Sequence, residues 1–231
     1  MAVGYNPRIV TDGLVLALDA ANTKSYSGSG TTWTDLSGRA NNGTINGATY
    51  SSSNGGSLDF DGSNDYVDIG NVLNEYPITI SAWTKTNSTS EDRKVDVVNK
   101  YTAASGNGYR LAFSSNGISG FYFKNNSNRT NNYDNEYGTV STNIWYYVVM
   151  IVDSSGIKFY LNGSLVGSNT WTGTPGAPTT TTNLSLGYYP GNFAGGQYYD
   201  GDISQVSIYN KALTAAEITQ NFNALRRRYN I

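Results

Sequence analysis

Residues 145 to 167, WYYVVMIVDSSGIKFYLNGSLVG, read as two hairpins in succession. Positions 145 to 152 are almost wholly aromatic or β-branched, the composition that suits a pleated and largely buried strand. Ser154, Ser155 and Gly156 then supply turn chemistry, and a second strand is expected from Ile157 to Leu161. Asn162-Gly163 follows, a pair that tolerates positive φ and closes a two-residue hairpin. An antiparallel meander is the reading.

The same grammar extends in both directions. In LDFDGSNDYVDIG, residues 58 to 70, Leu58 and Phe60 alternate with Asp59 and Asp61, and Tyr66, Val67 and Ile69 run against Asp65 and Asp68. YPITISAWTKT alternates over Ile78, Ile80 and Ala82, and further strands are expected in DVVNKY, YRLAFSS, ISGFYFKN, TNLSLGYY and GDISQVSIYN. Near the start, Leu14 to Leu18 form a short buried strand, while residues 25 to 54 read as an ordered loop with one short strand, anchored by Trp33 and Leu36. Turn signals recur roughly every 8 to 12 residues, the spacing of an all-β sandwich rather than of a parallel sheet. One helix is predicted over 214–225: Thr214 and Glu217 fit a capping box, and Ile218, Phe222 and Leu225 fall on one face. The domain reading is an N-terminal arm over 1–11, one sandwich over 12–225 that includes this helix, and a basic tail over 226–231.

Composition narrows the function classes. The chain has 231 residues, 14% charged and 38% hydrophobic, with 26 glycines, 19 tyrosines and a formal net charge of −2. A near-neutral surface offers no field to gather nucleic acid or anionic lipid, so neither is expected as a partner. Arg226, Arg227 and Arg228 form the one basic cluster, at a helix end where cations suit the dipole. No cysteine is present, so thiolate chemistry and disulfides are excluded. The start, MAVGYNPRIV, has no basic region followed by an apolar run, and no stretch of about 18 apolar residues occurs; neither a signal peptide nor a helical membrane span is expected.

Three segments in order carry a family resemblance: LDFDGSNDYVDIG, the double hairpin of 145–167, and GDISQVSIYNKALTAAEI. With them the chain resembles the laminin-G-like, concanavalin-A-like jelly-roll domains, which implies a two-sheet antiparallel sandwich with one short C-terminal helix. A narrower likeness is to versions carried by tailed-bacteriophage structural proteins, through GLVLALDAANTKSY near one end and LTAAEITQNFNALRRRYNI at the other. That fold hosts enzymes, lectins, receptors and virion parts, so function has to be argued from sites.

For catalysis, the glucanase branch of the family sets two carboxylates about 5 to 5.5 Å apart across the sugar bond. Asp59 and Asp61, at i and i+2, have Cα atoms roughly 6.5 to 7 Å apart on a strand. Both flank Phe60, however, whose inward side chain puts them on the opposite face. Glutamates stand only at 75, 91, 136 and 217, none in a paired strand motif, and there is no histidine to act as a base near neutral pH. No catalytic residue is expected, and the chain is read as a non-enzyme.

For calcium, Asp61, Asn64 and Asp65 are hard oxygen donors in one turn, with Asp61 and Asp65 the nearest approach to a ligand pair. The resemblance argues against the ion: Tyr188, Tyr189 and Pro190 stand where pentraxin-like members carry acids and amides, and Ser204 and Gln205 where many relatives carry Asp-Glu. No cofactor is expected. For sugar or protein contact, GYYPGNFAGGQYYDGD offers Tyr188, Tyr189, Asn192, Phe193, Gln197 and Tyr198 in a Gly-rich loop, of which alternation must bury about half. KNNSNRTNNYDNEYG is a second polar-aromatic loop.

The leading expectation is a non-enzymatic structural protein of a phage particle, a capsid decoration (cement) protein exposed on a virion assembled in the host cytoplasm. Its partners would be the major capsid protein, other virion proteins and copies of itself, a trimer included. Arm contacts are expected from Tyr5, Arg8, Arg226, Arg227 and Arg228. The alternative is a carbohydrate-binding adhesin, a tail or capsid lectin attaching to host surface glycans.

Overall fold

The computed structural model describes residues 7–88, 95–114, 117–130, 135–191 and 197–231. Among these, two large antiparallel sheets face each other. The first runs Ser164–Asn169, Gly156–Leu161, Trp145–Asp153, Ile78–Thr86, Asp200–Tyr209, Ser57–Asp61 and Thr49–Ser51, with Leu14–Asp19 also paired to Asp200–Tyr209. At the heart of the second, Ile118–Asn125, Gly108–Phe113, Val95–Asn99, Leu184–Leu186, Tyr66–Gly70 and Gly43–Asn46 follow one another. The double hairpin forms as read: Val148 pairs with Leu161 and Asp153 with Gly156, and Asn162 and Gly163 hold φ of 50° and 83°.

Alternation decides which side chains meet between the sheets. Leu58, Phe60, Ile80, Met150, Phe159 and Ile203 project from the first sheet and are fully buried, against Val67, Tyr109, Leu111 and Leu184 of the second. Asp59 and Asp61 face outward, as their places either side of Phe60 require. Burying a Phe or Ile side chain this completely is worth about 1.5–3 kcal/mol each, so this layer supplies most of the driving force.

Part of the outer face of the first sheet, around Trp83, Tyr147 and Tyr209, is apolar as well and needs its own cover. Thr214 Oγ1 accepts from the Glu217 N–H, and the Glu217 carboxylate accepts from the Thr214 N–H at 2.8 Å, which starts helix Ala215–Leu225 across that face. Ile218 is buried beneath it, and Phe222 stacks on Trp83 with centroids 5.7 Å apart. The basic tail does not leave the body. Arg226–Tyr229 continues as a 3-10 turn, Tyr229 lies on Trp83 at 4.1 Å, and Arg228 makes a fork of bonds to Asp19 at 2.8 and 3.2 Å. Of the three arginines expected to reach neighbours, Arg228 is therefore engaged inside its own chain, while Arg226 and Arg227 are exposed. The arm is tied down from residue 8 onward: the Val10 N–H donates to Asn221 Oδ1 at 2.7 Å and Gln220 Nε2 to the Arg8 carbonyl at 2.8 Å. Arg8 is exposed, and Tyr5 lies outside the described residues.

The stretch read as a loop with one strand holds three: Thr32–Trp33, Gly43–Asn46 and Thr49–Ser51. Their sequences lack alternation, and long-range partners define them instead. Asp35 is an example, with Oδ1 accepting from the Ala17 N–H at 2.9 Å and Oδ2 from the Asn41 N–H at 3.0 Å. The bond from Ala17, with that from Asn41 Nδ2 to the Val15 carbonyl, occupies the outer edge of Leu14–Asp19, where free backbone groups would otherwise invite another chain.

If Tyr229 is a core residue and not part of a loose tail, Tyr229→Ala should cost roughly 3–5 kcal/mol in urea denaturation. Arg226→Ala, three residues away and exposed, should stay within about 0.5 kcal/mol of the parent. Equal, small effects of the two substitutions would show that the tail does not belong to the folded unit.

Candidate functional site

Sequence alternation leads from the second sheet directly to a pocket. Residues opposite one another in an antiparallel ladder point to one face. Here the pairings Thr44–Asp68, Asp68–Ser185, Ser185–Asn99, Asn99–Arg110 and Arg110–Phe121 draw a row across the outer face of that sheet. One end of the row, Asp68 and Ser185 with Tyr66 two residues earlier, lines a pocket of about 440 Å³. Thr102, Thr182, Asn183, Tyr188, Pro190 and Tyr198 complete its walls. That volume lies inside the range of roughly 300–1,000 Å³ found for small-ligand sites.

Gly187 makes this shape. It sits at φ +75°, and a Cβ there would come 2.7 Å from the Phe60 ring. The apolar run TNLSLGYY, read as one strand, therefore breaks: Leu184–Leu186 stays in the sheet and Tyr188–Tyr189 swings into a small hairpin with Gln197–Tyr198. Alternation then sorts the tyrosines. Tyr188 is half-buried between Tyr66, at 5.3 Å, and Tyr198, at 4.8 Å, a three-ring stack along the pocket. Burial, with Tyr198 and Tyr66 beside it, pushes the Tyr188 hydroxyl above its ordinary pKa, so it stays a neutral donor. Tyr199 turns into the core, where it donates to or accepts from Thr84 Oγ1 at 2.6 Å, while Tyr189 is buried on the outer face of the second sheet with Tyr101, Phe121 and Phe123. The Arg110 guanidinium lies 5.3 Å from the Tyr189 ring and is ion-paired with Asp96.

Polar groups fix the rim. Asn183 Nδ2 donates to both oxygens of Asp68 at 3.1 Å, and the Gly70 N–H donates to Asp68 Oδ1 at 2.9 Å. Ser185 Oγ donates to the Tyr188 carbonyl at 2.9 Å, which pins the hairpin to the sheet. Behind the Thr182 wall sits Lys100, fully buried, with Nζ donating to Asn71 Oδ1 at 2.9 Å and the Thr182 carbonyl at 2.6 Å. Burial lowers its pKa to about 8. The pocket thus presents aromatic surface, hydroxyls, an amide and one acceptor-only carboxylate.

Measured against the sequence reading, Tyr188, Gln197 and Tyr198 come together in one hairpin, Tyr188 and Tyr198 lining the pocket, while Tyr189 is withdrawn to a buried cluster. Asn192 and Phe193 lie outside the described residues, as does part of the second polar-aromatic loop. Tyr66, Asp68, Asn183 and Ser185 were missed; the one available signal was the outward phase of Tyr66 and Asp68, which reads equally well as a solvated strand face. The other aspartates behave as turn formers. Asp61 Oδ1 accepts from the Ser63 N–H at 2.8 Å and Asp65 Oδ2 from the Asp61 N–H at 3.1 Å. Burial raises the pKa of Asp65, the reverse of a carboxylate poised for a cation. Among the described residues no group of three or more Asp, Glu or His side chains is placed to hold a metal ion. Asp59 stands opposite Asp202, which pairs with Lys85 at 2.8 Å; burial first, then Asp202, raise the Asp59 pKa.

Residues 61–219 match the family model of the concanavalin A-like lectin/glucanases superfamily. The chain belongs to that superfamily. No curated protein matches the sequence. Among solved structures, a Trypanosoma rangeli sialidase in complex with the inhibitor DANA superposes with a TM-score of 0.67 at 16% identity, over 95% of this chain and 35% of the sialidase. Domain 4 of AbnA, an extracellular arabinanase of Geobacillus stearothermophilus in complex with arabinotriose, gives 0.62 at 16%, over 90% of this chain and 97% of the domain. The binding domain of Paraclostridial Mosquitocidal Protein 1 gives 0.68 at 16%, over 93% and 52%. The chain spans about a third of the sialidases it matches, and at such identities the likeness is one of fold. Superfamily membership makes that fold a carbohydrate-binding type.

Lys100 gives a solution test of the pocket wall. Its folded pKa of about 8 lies below the ordinary 10.5, so between these values the unfolded chain binds more protons and stability rises with pH. Compared with Lys100→Met, the parent should gain about 1–2 kcal/mol from pH 8 to 9.5 in denaturant titrations. A difference that stays flat over that window would place the ammonium in solvent.

Proposed function

We propose that this protein is a non-enzymatic carbohydrate-binding adhesin whose site is the pocket beside Tyr66, Tyr188 and Tyr198. The tyrosine stack alongside the Asp68–Asn183 pair carries this reading. A sugar has an apolar C–H face and a rim of hydroxyls; an aromatic wall covers the first, and a carboxylate and amide orient the second. Asp68 is the single carboxylate among the described lining residues, whereas glycosidic cleavage by the common route needs two. The pocket is what moves the adhesin ahead of the decoration role expected from sequence. The setting we propose is the surface of a phage particle, supported by the resemblance of the two end segments. On a lattice, many weak contacts to host glycans become additive.

A decoration role is compatible with the same site and has its own support. Ser164–Asn169 is an edge strand of the first sheet, with Leu165 56% exposed, and edges of this kind pair with neighbouring chains. Arg8, Arg226 and Arg227 are also exposed. Capsid subunits and further copies of the chain are the partners that reading names.

On a glycan array of neutral and acidic oligosaccharides the parent should bind saturably. Tyr198→Ala and Asn183→Ala should each weaken binding about tenfold or more, roughly 1.4 kcal/mol, with far-UV circular dichroism unchanged. Leu165→Asp, on the edge strand, should leave it intact. Sugar binding indifferent to both pocket substitutions, or lost with Leu165→Asp, would remove the pocket from the account.

A further inference from the structure

We infer that the pocket selects neutral, hydroxyl-rich sugars and rejects acidic ones such as sialylated or uronic glycans, an inference that rests on the carbohydrate-binding reading above. Its charge inventory decides this. The charged group among the described lining residues is the Asp68 carboxylate, and the groups that donate to it, the Asn183 amide and the Gly70 N–H, are neutral. No Lys or Arg stands among those lining residues to receive a ligand anion.

Among the described residues, two cations lie near enough in the fold to be weighed. Lys100 is fully buried and directs Nζ at Asn71 and the Thr182 carbonyl, so its ammonium has no face toward the pocket. Arg110 is buried at the far end of the cross-strand row, paired with Asp96 and packed against the Tyr189 ring. An incoming carboxylate would lose its hydration, find no cationic fork among the described lining residues and sit beside a fixed negative charge. A neutral sugar meets the opposite situation. Asp68 only accepts, and an ionised acceptor makes a short, charge-assisted bond with a hydroxyl. Asp68 Oδ1 already takes the Gly70 and Asn183 donors, and Oδ2 takes one bond from Asn183. Acceptor capacity therefore remains on Oδ2 for a ligand hydroxyl. The discrimination comes from a repulsive element, a common way to gain specificity without adding contacts.

The test is titration calorimetry of the full chain at pH 7 and low salt with matched pairs: lactose against 3′-sialyllactose, and cellobiose against its uronic acid counterpart. The neutral member of a pair should bind at least tenfold tighter, and added salt should narrow the gap. Asp68→Asn, which keeps the size of the side chain, should bring the two members of each pair to within about threefold. Equal or tighter binding of the acidic members by the parent overturns this inference and leaves the carbohydrate-binding reading standing. A tenfold preference that survives Asp68→Asn overturns it too, by assigning the selection to other groups. Failure of every neutral and acidic member to bind overturns both readings.

Discussion

Phe60 lies fully buried between the two sheets, and its ring occupies the space that a Cβ at position 187 would need. That exclusion joins the core to the surface. Because residue 187 is a glycine at positive φ, the chain passes the ring and turns out of the second sheet. The turn brings Tyr188 and Tyr198 alongside Tyr66, more than a hundred residues away in sequence, and walls in the pocket. A larger residue at 187 would press on the core and misdirect the site together. The Tyr188–Tyr198 hairpin and the hydrophobic layer are one mechanical unit.

The two outer faces of the sandwich have different fates, and that asymmetry explains where a ligand site is available. On the first sheet the part of the face around Trp83, Tyr147 and Tyr209 is aromatic and apolar. Trp83 is covered by Phe222 and Tyr229, and Arg228 holds the end of the cover to Asp19. Burial of that kind stabilises the sheet and closes the part of the face around Trp83. On the second sheet the face carries Asp68, Ser185, Asn99 and Arg110 in one cross-strand row. Arg110 is neutralised by Asp96 and stacked with Tyr189, while the other end of the row borders the pocket. Polar groups kept at a partly buried face carry a desolvation cost that packing alone does not demand. Here Asp68 and Ser185 are hydrogen-bonded into fixed orientations.

Superfamily membership adds a prior and little more. The structures that superpose on this chain include a sialidase and an arabinanase domain, yet share about 16% of its residues. A fold held in common at that level constrains the sandwich and leaves the site to be decided locally. The one carboxylate among the described lining residues, set against a tyrosine stack, is the local feature that matters.

Local chemistry alone determined the strand-turn-strand rhythm, the Asn162-Gly163 hairpin, the Thr214–Glu217 capping box and the inward phase of Phe60. Each depends on neighbours within a few residues: side-chain alternation, backbone φ preference or a cap reaching three positions along. The resemblance of three ordered segments extended that reading to the whole sandwich. What tertiary structure alone decided was the company each outward residue keeps. Tyr66 and Asp68 look like any solvated strand face until Leu184–Leu186 pairs beside them and delivers Asn183, Ser185 and Tyr188. Tyr188 and Tyr189 are adjacent and chemically identical, yet one lines the pocket and the other is buried against Arg110. Arg228 reads as a free cation until Asp19, from the far end of the chain, comes within 2.8 Å. Contacts between distant segments are set by packing of the completed sheets, and no pattern within a short window encodes them.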